Sequence, residues 1–220
     1  MTIRIPDSLT QIVKDKLREM IISGEFRFGQ QLTEHKLGIE FGVSKTPIRE
    51  ALVQLKEEGL VEVRSRKGTF VYSPQIKELQ QLIASRAIFE VGALKLAYEV
   101  NAVQLVHALG KIASQMNRTF DGSTYLTYLQ LDTAFHKIII QHADNTYLTN
   151  AHELIASKIL ALRHRLVYDV DFLARSTQGH LEIYDRLRGG QLDAACEVLH
   201  LHISRVFQRV ELSPLVNGQA

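Results

Sequence analysis

The placement of proline constrains the fold of this chain more than any other feature. The 220 residues hold four prolines, Pro6, Pro47, Pro74 and Pro214. Proline lacks a backbone N–H and breaks the interior of a helix. Its absence from Gln75 to Ser213 therefore leaves that stretch open to uninterrupted helices. Apolar residues recur there at helical spacing, in segments near 75–99, 102–120, 123–143, 145–168, 170–188 and 191–211. Asn101, Asp121-Gly122, Asp144-Asn145 and Gly189-Gly190 mark the breaks. The pattern predicts an all-helical bundle over 75–212, with 213–220 as a flexible tail.

The first 74 residues read differently. Asp7 or Ser8 can N-cap a helix whose apolar face is Leu9, Ile12, Val13, Leu17, Met20 and Ile21, ended by Ser23-Gly24. Thr33 opens a second helix, with Leu37 and Phe41 inward and Gly42 as its stop. Ser44 opens a third, running through Ile48, Ala51, Leu52 and Leu55 to Gly59. Pro47 lies in its first turn, where a missing N–H costs nothing. Two β-rich runs, Leu60–Arg64 and Thr69–Tyr72, then flank Ser65-Arg66-Lys67-Gly68, which predicts a two-stranded hairpin with a basic turn.

Three helices followed by such a hairpin form a winged helix-turn-helix, assigned to residues 1–74. The third helix would present Ser44, Lys45, Thr46 and Arg49 to the DNA major groove. Lysine and arginine reach guanine acceptors or phosphates, and hydroxyls donate to phosphate. Arg66, Lys67 and Gly68 would form a wing against the backbone or minor groove. Glu34, Glu40, Glu57 and Glu58 are expected to face away from this contact or flank it.

Charge bears on that reading. The net charge is only +2, and residues 1–74 hold 12 of the 26 basic and 10 of the 24 acidic side chains. DNA binding must then rest on a few placed cations and on a dimer rather than on bulk charge, and non-specific affinity should be modest. The single cysteine, Cys196, excludes an internal disulfide and a cysteine-built zinc finger, and fits a reducing cytoplasm. No apolar run approaches a membrane span, and the N-terminus lacks a signal-peptide core.

Histidine is concentrated in the second part: eight of nine lie between His107 and His202, and His35 alone lies in the first. Asp132 and His136, four residues apart, share a helix face and can ligate one metal ion or hydrogen-bond each other. Two more ligands are needed for a closed site. His200 lies ~200° around the helix from His202, and His142 ~120° from His136, so neither pair can aim at one point. Periodicity alone does not choose among His142, His152, His164, His180, His200 and His202. Arg86 and Glu90 are one turn apart and suit an ion pair; Arg86 could equally clamp a carboxylate through both arms of its fork. Arg163 is a weaker candidate for the same task. Tyr125, Tyr128 and Tyr147 could line a pocket or serve as plain core.

The run from Gly42 through Val43-Ser44-Lys45-Thr46-Pro47-Ile48-Arg49-Glu50-Ala51 to Leu52, with Leu55, Gly59-Leu60-Val61 and Gly68-Thr69-Phe70-Val71, resembles the DNA-binding domain of GntR-family bacterial transcription regulators. Gly29-Gln30-Gln31-Leu32 and Leu37 fit the same pattern. Lys45, His35 and Gly38 depart from the family's commoner residues, which bears on the base sequence preferred. Further on, Leu131-Asp132-Thr133-Ala134-Phe135-His136, Asn145, Leu148, His180, Ile183, Leu187, Gly190, Ala194-Ala195 and His202 look like the FadR-type effector domain called FCD, as do Arg86, Glu90 and Ala93.

These resemblances imply a cytoplasmic transcriptional regulator, a repressor rather than an enzyme. It would act as a homodimer on a near-palindromic double-stranded DNA operator, with His35 joining the contact residues. Asp132, His136, His180 and His202 would hold one divalent ion per chain, zinc by first choice, with nickel or manganese also suited to the donors. A small carboxylate effector would bind there and meet Arg86. Two rival readings remain at this point: a purely structural metal, and a metallohydrolase using Glu182 as base.

Overall fold

The structure is a computed structural model that describes residues 8–119, 125–165 and 170–211. The chain divides into two compact units, Met1–Pro74 with Ala156–Arg165, and Gln75–Ile155 with Leu166–Ala220. Both are built mainly from helices, and one small sheet lies in the first.

The first unit contains α1 (Leu9–Ser23), β1 (Gln31–Leu32), α2 (Glu34–Phe41), α3 (Lys45–Glu57), β2 (Val61–Arg64) and β3 (Gly68–Val71). Ser8 caps α1, its Oγ accepting from the Gln11 backbone N–H at 3.2 Å, a contact worth ~1 kcal/mol. Asp7 lies outside the described residues. Thr33 and Ser44 hold the N-cap positions of α2 and α3 in extended backbone, but neither side chain makes a capping bond. Both caps expected from sequence are thus positional only, and the exposed Ser44 hydroxyl stays available.

Gly42 ends α2 at φ +66°, a left-handed conformation that costs a residue with a Cβ and suits glycine. The Val43 N–H then returns to the Gly38 carbonyl at 3.0 Å, which tightens the turn between α2 and α3. Val13, Leu17, Met20 and Ile21 of α1 pack on Ile48, Ala51, Leu52 and Leu55 of α3, with Leu37, Leu60, Val61 and Val71 closing the core. Leu17 and Leu55 are fully buried; cutting either to alanine should cost about 2–5 kcal/mol.

The sheet order is β1-β3-β2. β2 and β3 run antiparallel, with Val61 opposite Val71 and Arg64 opposite Gly68, and form the expected hairpin. The third strand was not expected: β1 pairs Gln31 with Phe70 and Leu32 with Thr69. Two residues are too few for a period of two to be visible in sequence.

The second unit contains α4 (Ile76–Thr119), α5 (Tyr125–His142), the first part of α6 (Thr146–Arg163), α7 (Val170–Arg188) and α8 (Leu192–Glu211). α4 is two helices joined at Asn101, whose backbone leaves the helical region (φ −162°, ψ 85°). The Asn101 Oδ1 accepts from the Gln104 N–H at 2.9 Å and so caps the second half. The break falls where the sequence predicts it. α4 packs on α5, α7 and α8, with Leu94, Leu105, Leu109, Phe135, Ile139, Ile183, Leu199 and Ile203 fully buried. The expected break at Asp121-Gly122 and the tail 213–220 lie outside the described residues. No described helix is long and apolar enough to cross a membrane.

Candidate metal centre and nucleic-acid interface

Asp132 and His136 stand one turn apart on α5, His180 on α7 and His202 on α8. All four are buried, and one donor atom from each lies within 4.8 Å of the others. The His136 and His202 Nε2 atoms are 3.3 Å apart. Asp132 Oδ1 lies 3.5 Å from His180 Nε2, and Asp132 Oδ2 lies 3.7 Å from His136 Nε2. The cluster therefore contains the two histidines that spacing alone could not select.

What surrounds the four explains why their donors converge. His136 Nδ1 is hydrogen-bonded to Glu90 Oε2. His180 Nδ1 donates to the Ser176 carbonyl at 2.8 Å. Each contact spends the outer ring nitrogen and turns Nε2 inward, the arrangement by which metal-binding histidines are oriented and made more basic. Tyr128 Oη donates to Asp132 Oδ1 at 3.0 Å and also bonds Ser176 Oγ. Gly179 leaves room for the His202 ring: a Cβ there would lie 3.0 Å from His202 Nδ1, tighter than an ordinary contact.

Burial holds His202 well below the ordinary histidine range, and neighbouring His180 and His136 push it the same way. Burial would raise Glu90, but Arg86 and His136 outweigh it and hold this carboxyl well below the usual carboxylate range. Arg86 Nε donates to Glu90 Oε1 at 2.6 Å, and both side chains are buried. The ion pair read from their spacing is present. The Arg86 Nη groups donate no hydrogen bond to a described residue. His152 Nε2 lies 3.8 Å from Glu90 Oε1.

Three imidazoles and one carboxylate, buried and converging, fit a divalent transition ion in both donor type and number. Other expectations are corrected. Tyr147 is 89% exposed and lines no buried site. Arg163 falls in the segment that clusters with the first unit, whereas Arg86 clusters with the second. Glu182 is paired with Arg186 at 3.3 Å, and 42% of its side chain is exposed. His142 Nδ1 bonds the Ile138 carbonyl of its own helix, and His200 is exposed. The parts that the sequence did not reveal are Glu90 as the partner of His136, and the Tyr128–Ser176 link.

On the first unit, His35, Ser44, Lys45, Thr46 and Arg49 are all exposed, at the start of α2 and α3. Arg66, Lys67 and Gly68 are exposed at the hairpin tip, where Arg66 adopts φ +60°. Among the described residues Lys45, Arg66 and Lys67 make no ion pair, though Lys45 acts on Glu34 at longer range. Arg64 instead stacks over the Phe70 ring at 4.5 Å. Of the two positions expected for Glu34, facing away or flanking, it takes the second and receives the Arg49 fork across the α2–α3 gap. The cause is local, since a turn this tight brings the first residues of both helices together.

Residues 9–71 match the model of the bacterial regulatory proteins of the gntR family, and residues 81–205 match that of the FCD domain. The gluconate operon transcriptional repressor of Bacillus licheniformis is 28% identical over 201 residues, covering 89% of this chain and 82% of that protein. A GntR transcriptional regulator from Rhodococcus sp. RHA1 has the same fold, with a TM-score of 0.77 at 20% identity over 94% of this chain and 99% of its own. A metal-free FCD domain of the regulator TM0439 aligns at a TM-score of 0.56 and 20% identity, over 66% of this chain and 96% of its own.

Proposed function

Since this chain belongs to the GntR family of bacterial regulatory proteins and carries an FCD domain, and is thus a DNA-binding transcriptional regulator rather than an enzyme, we propose that it is a repressor released from its operator by a small carboxylate bound at the Asp132–His136–His180–His202 centre. The observation that carries this reading is the pair of outer contacts, Glu90 to His136 and Ser176 to His180, which aim two Nε2 atoms inward. A site with no ion to hold has no need of such orientation.

Charge balance supports an anionic effector. Histidines that ligate a metal do so as neutral imidazoles, so Arg86, Glu90 and Asp132, all buried, leave a net charge of −1 around the ion. A divalent ion reverses this to +1, and one monocarboxylate cancels it. Burying uncompensated charge is costly, so such a ligand is favoured over a neutral one. Arg86 has two Nη groups that no described residue occupies, and a carboxylate accepts such a fork well. The metal, zinc by first choice, would supply positive charge and an anchoring point for that ligand. Glu90 would hold the His136 ring and the Arg86 guanidinium in place.

In this reading the protein acts in the cytoplasm as a homodimer, placing two copies of α3 in successive major grooves of a near-palindromic operator. Release requires that the carboxylate bind the DNA-competent and DNA-incompetent dimers unequally. A purely structural ion is the second reading, favoured by one observation: four protein donors already fill a tetrahedral set. Operator binding should be titrated with small carboxylates, before and after metal removal, on protein whose metal content is known. Release by a carboxylate only when metal is bound supports the sensor. Full metal content with no response to any carboxylate leaves the structural ion.

A further inference from the structure

α6 is continuous from Thr146 to Arg163, yet its two parts cluster with different units. Its buried side chains are Ile159, Ala161, Leu162 and Arg163; none precedes Ile159. Ala161 belongs to the hydrophobic core that α1 and α3 build. Lys158 places its Nζ 4.3 Å from the centre of the Tyr72 ring, and its stem lies against Gly59.

Just past the helix end, Arg165 grips α1. Its guanidinium donates to the carbonyls of Ile21, Ile22 (3.4 Å) and Phe26 (2.7 Å), and to its own Ala161 carbonyl (2.7 Å). It also lies over the Phe28 ring at 4.0 Å. The last carbonyls of a helix lack partners and carry the negative end of its dipole, so a cation there is doubly favoured. Burial pushes Arg165 down to about 10, which leaves it charged at neutral pH. At the other end, His152 lies beside Glu90, the carboxylate that holds His136. Nine helical steps lead from His152 to Ala161, a rise of about 14 Å.

We propose that α6 couples the metal centre to the DNA-binding unit, with His152 sensing the position of Glu90 and Arg165 latching α1 and the Phe26–Phe28 loop. This rests on the metal-centre reading above. The C-terminal part of α6 is then an integral piece of the DNA-binding unit, supplied from outside residues 1–74. A helix with a firmly buried end and a lightly packed start can shift as one body when the groups at its start move.

The test is hydrogen exchange on the full-length protein, loaded with Zn²⁺ or stripped with EDTA, alongside operator affinity. In the wild type, stripping should raise exchange severalfold in the Ile21–Phe28 segment. Arg165→Gln should raise it even with zinc bound. His152→Ala, which leaves the four donors in place, should keep slow exchange with zinc but lose the response to stripping. The proposal is overturned if Ile21–Phe28 ignores metal removal in the wild type, or if His152→Ala responds as the wild type does. Should Arg165→Gln fail to fold, the His152→Ala comparison still decides. If release of the operator by a carboxylate requires metal while Ile21–Phe28 ignores metal, the metal-centre reading stands and the coupling falls; if neither depends on metal, both fall.

Discussion

Arg49 holds both oxygens of Glu34, with Nε to Oε1 at 2.9 Å and Nη2 to Oε2 at 2.8 Å. The pair stands at the exposed start of α2 and α3, and the Arg49 side chain is 66% exposed. A fork filled by a carboxylate offers little to guanine, so an operator must either displace Glu34 or use the remaining N–H groups. If Arg49 contacts the operator as proposed, Glu34 competes with DNA for its fork.

Arg49→Ala should weaken operator binding about 10- to 100-fold, with metal content unchanged. Glu34→Gln should act in the opposite direction on non-specific DNA, strengthening it and steepening its salt dependence by about one unit of slope. Fluorescence anisotropy at several salt concentrations reads both. Unaltered operator affinity in Arg49→Ala would remove this residue from the interface.

The metal cluster makes a second prediction. His136→Ala combined with His202→Ala takes two of four donors and should reduce bound metal from one ion per chain to a trace. Binding energy of this kind is also folding energy, so the melting temperature should fall toward that of EDTA-treated wild type. Elemental analysis with a thermal melt checks this. A double variant that retains its ion would show that other residues hold it.

Glu90 gives the third. Glu90→Gln keeps the shape but removes the charge that orients His136 and neutralises Arg86. Loss of such an outer partner typically lowers metal affinity 10- to 100-fold. Competition against a chelating dye measures it. Affinity equal to the wild type would reduce Glu90 to a simple counter-ion of Arg86.

These residues also show where sequence reading stops. The helix-turn-helix and the helical breaks were legible, because proline absence, apolar period and Asn101 act on neighbours along the chain. Asp132 with His136 was legible for the same reason, being one turn of one helix. His180 and His202 came only with the family resemblance, since periodicity says which face a residue occupies but not which helices meet. Glu90 reads in sequence as the i+4 partner of Arg86, and its bond to His136 joins residues 46 apart. Arg165 reaches 143 residues back to Ile22. No local pattern carries contacts of that range.

Gly179 offers the sharpest test of the site geometry, because two effects of one methyl group have opposite signs. Glycine inside α7 costs the helix about 1 kcal/mol relative to alanine, so Gly179→Ala should leave the metal-free protein as stable as before or slightly more so. The new Cβ would stand 3.0 Å from His202 Nδ1, tighter than a normal contact, and the ring must retreat by a few tenths of an ångström. Both partners are buried, so that retreat shifts the Nε2 donor relative to the other three ligands. Metal affinity should therefore fall while the stability of the stripped protein holds. Thermal melts with EDTA and with added Zn²⁺ separate the two effects. Equal stabilisation by zinc in Gly179→Ala and wild type would mean that His202 does not need this position to bind.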